Sequence, residues 1–143
     1  MNSKAEQFKT FLEERKVSVF QMEEIEGNEQ HAVVFRSNIA VEGQQLPTMV
    51  VIDDSVFVVI RVQIAPQVLK EENETALLKM TNRESMMYKP FKLFFDNQGN
   101  LNLDTCLAVS NDKLEGEAVY QLFNVIINYL DENYRAIMKA VWQ

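Results

Sequence analysis

A single cysteine, Cys106, excludes an internal disulfide, and a single histidine, His31, leaves almost nothing with which to build a zinc site. Four glycines are too few for either the Walker phosphate loop or the dinucleotide-binding fingerprint, and neither spacing occurs. No apolar run approaches the ~20 residues that a helix needs to cross a bilayer. The first residues, Met1-Asn2-Ser3-Lys4-Ala5-Glu6, lack the apolar core of a signal peptide. Basic residues are also scarce: 14 Lys and Arg stand against 21 Asp and Glu, a net charge of -7, and they are scattered. Phosphate backbones call for clustered cations, so nucleic acid is excluded as the main partner. The acidic stretch Glu23, Glu24, Glu26 lacks the ligand spacing of a calcium loop and reads as a solvated turn. These absences predict a non-enzymatic chain with no cofactor and no metal, from a reducing, cytoplasmic setting.

What is present is a core. Of the 143 residues, 47% are hydrophobic and 24% charged, ordinary values for a globular protein that exclude wholesale disorder. A chain of this size buries about two-thirds of the surface exposed when unfolded, enough to fold without staples. One domain over 1–143 is expected, since no linker, repeat or low-complexity tract divides it. Its centre is Val56-Phe57-Val58-Val59-Ile60-Arg61-Val62-Gln63-Ile64, short and β-branched, which predicts a strand buried on both faces.

In chain order, Ser3 and Glu6 fit a capping box, and Ala5, Phe8, Phe11 and Leu12 share one face of a helix over 4–15. Residues 16–24 are ambiguous, with Val17, Val19 and Phe20 suggesting a strand. The alternation Val33, Phe35, Ile39, Val41 within 31–41 predicts a strand with one core face. A turn at Glu42-Gly43-Gln44 leads to a strand over 46–52, with Pro47 at its start, where a missing N–H does least harm. Asp53-Asp54-Ser55 then closes a hairpin onto the central strand. After Pro66 comes a helix over 74–86 built on Leu77, Leu78 and Met80, with Met86 and Met87 at its end as flexible gap-fillers or as an adaptable contact surface. Phe91-Lys92-Leu93-Phe94-Phe95, the turn Asp96–Asn100 and the alternating run Leu101–Val109 read as a second hairpin, with Gly99 suited to positive φ. Asn111 or Asp112 is placed to cap a long helix over 114–140, the main lid on the core. Trp142 reads as a packing anchor or as part of a contact surface. The fold class predicted is α+β: a largely antiparallel sheet of five to six strands with three helices, ordered α-β(3-4)-α-β2-α.

Two stretches carry a family likeness. Ala76-Leu77-Leu78-Lys79-Met80-Thr81-Asn82-Arg83-Glu84 matches an L-L-x-x-x-N helix, and Phe91 to Leu103 matches an F-x-L-x-x-x-G-x-L hairpin, followed by the helix with Leu130-Asp131-Glu132-Asn133-Tyr134. With this order of elements the chain resembles the YbjN-like family of bacterial sensory transduction regulators, which has the type III secretion chaperone-like fold. The resemblance implies a cytoplasmic bacterial protein, homodimeric, that binds another protein. It supplies no catalytic residues.

Strand parity supplies a candidate surface. If Val56, Val58, Ile60, Val62 and Ile64 face the helices, then Phe57, Val59, Arg61 and Gln63 face away, joined by Met49 and Val51 from the preceding strand. Four large apolar side chains there amount to a patch of a few hundred Å², the size at which association is expected. Arg36 and Arg61 project to the same side, either as interaction hot spots or paired with local carboxylates. The expected partner-binding residues are therefore Arg36, Met49, Val51, Phe57, Val59 and Arg61, on a regulatory or chaperone-like binding module. An alternative reading is a small-ligand sensor with an apolar pocket between sheet and last helix, lined by Phe94, Phe95, Phe123 and Tyr129. An enzyme would require His31, Cys106 and a carboxylate to converge. Otherwise Cys106 reads as a covered structural thiol and Asp53-Asp54 as a solvated turn.

Overall fold

The computed structural model describes residues 1–143. The elements run α1 (Ser3–Glu14), β1 (Gln21–Glu24), β2 (Val33–Val41), β3 (Gln44–Ile52), β4 (Phe57–Ala65), α2 (Glu74–Met87), β5 (Phe91–Phe95), β6 (Leu101–Ala108) and α3 (Gly116–Val141). Six strands form one antiparallel sheet in the spatial order β1-β2-β3-β4-β6-β5. Short loops make β2, β3 and β4 a meander, because antiparallel neighbours need only a tight turn. The second hairpin then docks through β6, so β4 gains an antiparallel partner on its free edge and β5 becomes the rim.

All three helices lie against one face of this sheet. Phe35, Val50, Ile60 and Leu103 project into a core completed by Phe8 of α1, Leu77 of α2 and Ile126 and Leu130 of α3. Aromatic edges tie the layers: Phe8 meets Phe35 at 4.9 Å, and Phe20, just before β1, meets Phe123 at 5.5 Å. Such offset and edge-on pairs add to the area they bury because ring edges are positive and ring faces negative. A second cluster joins the other end, where Tyr129 contacts Tyr88 and Phe91, both at 4.6 Å, and its hydroxyl donates to Glu84 at 2.7 Å. Burial, with the adjacent Glu84 carboxylate, pushes the Tyr129 phenol far above its usual range.

Several local expectations change. The cap of α1 is Asn2, not Ser3: its Oδ1 accepts from the Ala5 amide, while its Nδ2 donates to the carbonyls of His31 and Ile52. A side chain that serves the helix and two strand ends at once outweighs a local capping box. Asn111 and Asp112 do not cap α3. Both take left-handed φ in a preceding turn, and Glu115 occupies the cap position without a side-chain bond. Val56 lies outside β4 and is exposed, so the core face of that strand begins at Val58. β4 is fully buried on one face only. β6 is buried on both faces over its first five residues, Leu101 to Thr105, where Asn102 and Asp104 are buried beside Leu101 and Leu103, and is open from Cys106 on. Met86 and Met87 are exposed rather than filling gaps, with Met86 75% accessible, and Trp142 projects outward at 69%. The residues Val17 and Phe20 pack against the core, but the strand itself begins at Gln21.

The turn after β5 is organised by one carboxylate. Asp96 accepts hydrogen bonds from the amides of Gln98 and Asn100 and from the side-chain nitrogens of Asn100 and Asn102. Gly99 holds φ of +78°, and a Cβ there would crowd the Leu69 carbonyl at 3.2 Å. Hydrogen bonds to the charged form, the Asn100 side chain first, lower Asp96 from the usual 3.8 to about 2. A depressed carboxylate contributes stability above its unfolded pKa and loses it as pH falls through the folded one. The turn is therefore expected to loosen between about pH 4 and about pH 2, and Asp96→Asn to remove that acid dependence. Carboxyl-carbon NMR of Asp96 checks this; a midpoint at the ordinary value of 3.8 contradicts it.

Candidate interaction surface

The face of the sheet away from the helices is not roofed by the chain. Register places its side chains in rows: Val34, Val51, Val59 and Cys106 run across four strands, and Arg36, Met49, Arg61, Asp104 and Lys92 run beside them. Phe57 stands at one margin with 52% of its surface accessible, while Met49, Val51 and Val59 are half-buried among their neighbours. Strand parity thus brings together all six expected contact residues. The apolar part is narrower than four exposed side chains, because only Phe57 is fully open.

The second row is electrostatic. Arg61 donates from Nε to Asp104 Oδ1 at 2.7 Å and from Nη2 to Oδ2 at 2.8 Å, a bidentate pair whose carboxylate is only 10% accessible. Its guanidinium also lies over the Phe94 ring at 5.4 Å, with Lys92 over the same ring at 5.2 Å. The hydrogen bond to Asp104 raises the Arg61 pKa further, so its charge is permanent. Arg36 is held more loosely, by one contact from Nε to Glu23 at 3.3 Å between two exposed side chains. Exposed pairs of that kind contribute little, because water competes for both partners. Both arginines are paired, then, but one is anchored and the other is barely engaged.

Between them the sheet opens. Pairing of β3 with β4 stops at Thr48 opposite Val62, although β3 continues back to Gln44 and β4 on to Ala65. Pro47 stands at that point. Without an N–H it cannot extend the ladder, and its neighbour in β2, Asn38, is its only strand partner. The resulting fork is a hollow of about 470 Å³ lined by Arg36, Asn38, Pro47, Met49, Arg61, Gln63 and Asn102, with the Asp96–Asn100 turn on its rim. The hollow was invisible in the sequence. Pro47 marked a strand limit, but only the divergence of β3 and β4 made that limit a cavity.

The remaining candidates separate. The His31 ring meets Asp54 in an exposed turn, and Asp53 accepts from the Ser55 amide at 3.0 Å and from its hydroxyl, as expected of a solvated turn. Cys106 lies on β6, three strands from β2, about 14 Å at 4.8 Å per strand. No His31–Cys106–carboxylate constellation forms. Cys106 is exposed rather than covered, since parity places it on the open face; partial burial and then Asp104 push its thiol upward, away from a reactive thiolate. The imagined ligand pocket also fails. Phe94 points to the face of Arg61, opposite Tyr129, while Phe123 and Tyr129 are buried in the aromatic contacts described above. No group of three or more His, Cys, Asp or Glu side chains is arranged to hold a metal ion. No helix is long and apolar enough to cross a membrane.

No protein-family model matches this sequence, and no curated protein matches it. Among solved structures, a chain in the crystal structure of the ExsC–ExsE complex is similar, with a TM-score of 0.52 at 11% sequence identity, over 96% of this chain and 97% of that one. At that identity the likeness speaks for the fold: three helices and a six-stranded antiparallel sheet ordered α-β4-α-β2-α, the type III secretion chaperone-like α+β arrangement.

Proposed function

We propose that the protein is a non-enzymatic binding module, chaperone-like or regulatory, working as a homodimer that receives a partner protein on the open sheet face. One observation carries the reading: Phe57, Val59, Val51 and Met49 lie beside Arg36 and Arg61 on a face that no helix covers. Antiparallel sheets tolerate one wet face when it is polar, whereas apolar side chains flanked by arginine make a surface that gains by desolvation. The similar fold belongs to a chain solved within a two-protein complex, which agrees with a binding role. The dimer, the regulatory sense and a cytoplasmic bacterial setting rest on the resemblance of the helix and hairpin motifs to the YbjN-like family, which no family-model match supports.

The sole cysteine makes the test direct, because Cys106 stands beside Val59 on this face. A photo-activatable cross-linker on Cys106, irradiated in lysate of the source cells, is expected to give a discrete adduct. The same reagent on Glu132→Cys in a Cys106→Ser background, on exposed α3, is expected to give none. Identical products from both positions, or none from either, refute the assignment of the face. Sedimentation equilibrium is expected to give twice the chain mass of 16.6 kDa; a strict monomer refutes the dimer.

A further inference from the structure

We propose that the hollow at the β3–β4 fork is a carboxylate site, and that it takes an acidic side chain of a partner segment whose apolar neighbours cover Val51, Phe57 and Val59. The inference rests on the reading of the open face as a partner surface, and adds the chemistry of what docks there. The groups left free in the hollow are mainly donors. Arg61 spends Nε and one hydrogen of Nη2 on Asp104, so Nη1 is uncommitted. Arg36 spends only Nε, leaving both terminal nitrogens unpaired. The side-chain amides of Gln63 and Asn38, both in the lining, are not engaged with other side chains.

Arg36 and Arg61 stand on either side of Met49, two strands apart, about 10 Å between their backbones at 4.8 Å per strand, and both line the hollow. An acceptor entering the hollow meets the uncommitted N–H groups of both arginines on a lining that is polar apart from Met49 and Pro47. Asp96 on the rim spends its oxygens on four donors of its own turn, so it takes no hydrogen bond from either arginine, but its charge acts on Arg61 and opposes an incoming acid. Asp104 is likewise engaged; it fixes the Arg61 guanidinium in place, and the Phe94 ring beneath removes much of its remaining freedom. A preorganised guanidinium loses less entropy when it binds. Glu23 is the one competitor, an exposed carboxylate on a single 3.3 Å contact with Arg36. In a chain that carries -7, Arg36 and Arg61 are the two cations lining this hollow, and each keeps N–H groups beyond those its own carboxylate partner takes. The row Val34, Val51, Val59 adjoins the arginine row directly, so one segment reaches both, which favours a peptide over a free small acid.

The probe is a fluorescent twelve-residue peptide alternating leucine and glutamate, measured by anisotropy against its leucine–glutamine analogue. The glutamate peptide is expected to bind roughly tenfold tighter, the worth of a charge-assisted hydrogen bond, and to lose that margin in concentrated salt. Arg36→Gln should abolish the preference without unfolding the chain, because Arg36 is exposed. Glu23→Gln should increase it by removing the competitor. Arg61→Gln is made together with Asp104→Asn, so that no charge is stranded, and should also abolish it. Equal binding of the two peptides overturns the carboxylate site while leaving the face as a partner surface. Binding by neither peptide, equal competition by free glutamate, or a Cys106 adduct of twice the chain mass each overturns it as well, the last by making the occupant a second copy.

Discussion

Ile60→Asp is expected to abolish folding, whereas Val59→Asp, one residue earlier in β4, is expected to leave the chain folded. Ile60 is 1% accessible, between Val50 of β3 and Thr105 of β6, and faces the helices. A carboxylate placed there has neither water nor a cation, and it must either ionise in an apolar site or unfold the chain; the loss exceeds about 4 kcal/mol, most of the stability of a small domain. Val59 lies between Val51 and Cys106 on the open face and keeps access to water. An aspartate there loses only strand preference and some packing, about 1 kcal/mol. Circular dichroism and urea unfolding of both variants check the contrast. Val59→Asp should also weaken the leucine–glutamate peptide, since it adds like charge beside the site. Equal unfolding by the two variants would mean that the second face is as buried as the first.

Gly116→Ala is the second large effect, and its sign depends on a neighbour. Gly116 opens α3 where α1 crosses it, and a Cβ at that position would lie 2.2 Å from Cγ of Phe11 and 2.6 Å from both Cδ atoms. Phe11 is itself stacked with Phe8 at 6.3 Å and set edge-on to Tyr120 at 6.2 Å, so its ring has little room to retreat. Overpacking of this kind costs about 1–3 kcal/mol, read as a lower urea midpoint at unchanged slope. In a Phe11→Ala background the same substitution should be neutral or stabilising, because alanine is the better helix residue once the collision is gone. The double-mutant cycle isolates the pair; additive effects would show that the two residues do not meet.

The surface reading differs in kind from these stability arguments. Val51, Val59 and Phe57 are strand residues whose exposure is decided by what lies across the sheet, not by the residues themselves. Parity assigned all six expected contact residues to one side correctly, and that step needs only the alternation of a strand. It could not say that Arg61 would find Asp104, forty-three positions away, or that Arg36 would be left with a single contact to Glu23. A charge partner on another strand is a matter of register, and register between β4 and β6 is fixed by how their core faces fit together.

The same division runs through the chain. Local chemistry alone determined the order of helices and strands apart from β1, the core face of β2 in Val33, Phe35, Ile39 and Val41, and the turn at Gly99, because each depends on periodicity or on a backbone angle that few residues accept. It also determined what is absent, from a disulfide to a phosphate loop. Tertiary structure decided the rest. Docking of β6 against β4 buried Asn102 and Asp104 and put Cys106 on the open side; Asn2 displaced Ser3 as the cap because two distant carbonyls also needed a donor; and Phe94 left the supposed pocket for the opposite face. The fork beside Pro47 arose from a ladder that ends on one side only. Each of these depends on a neighbour remote in the chain, and one strand read by itself carries no record of which neighbour it will meet.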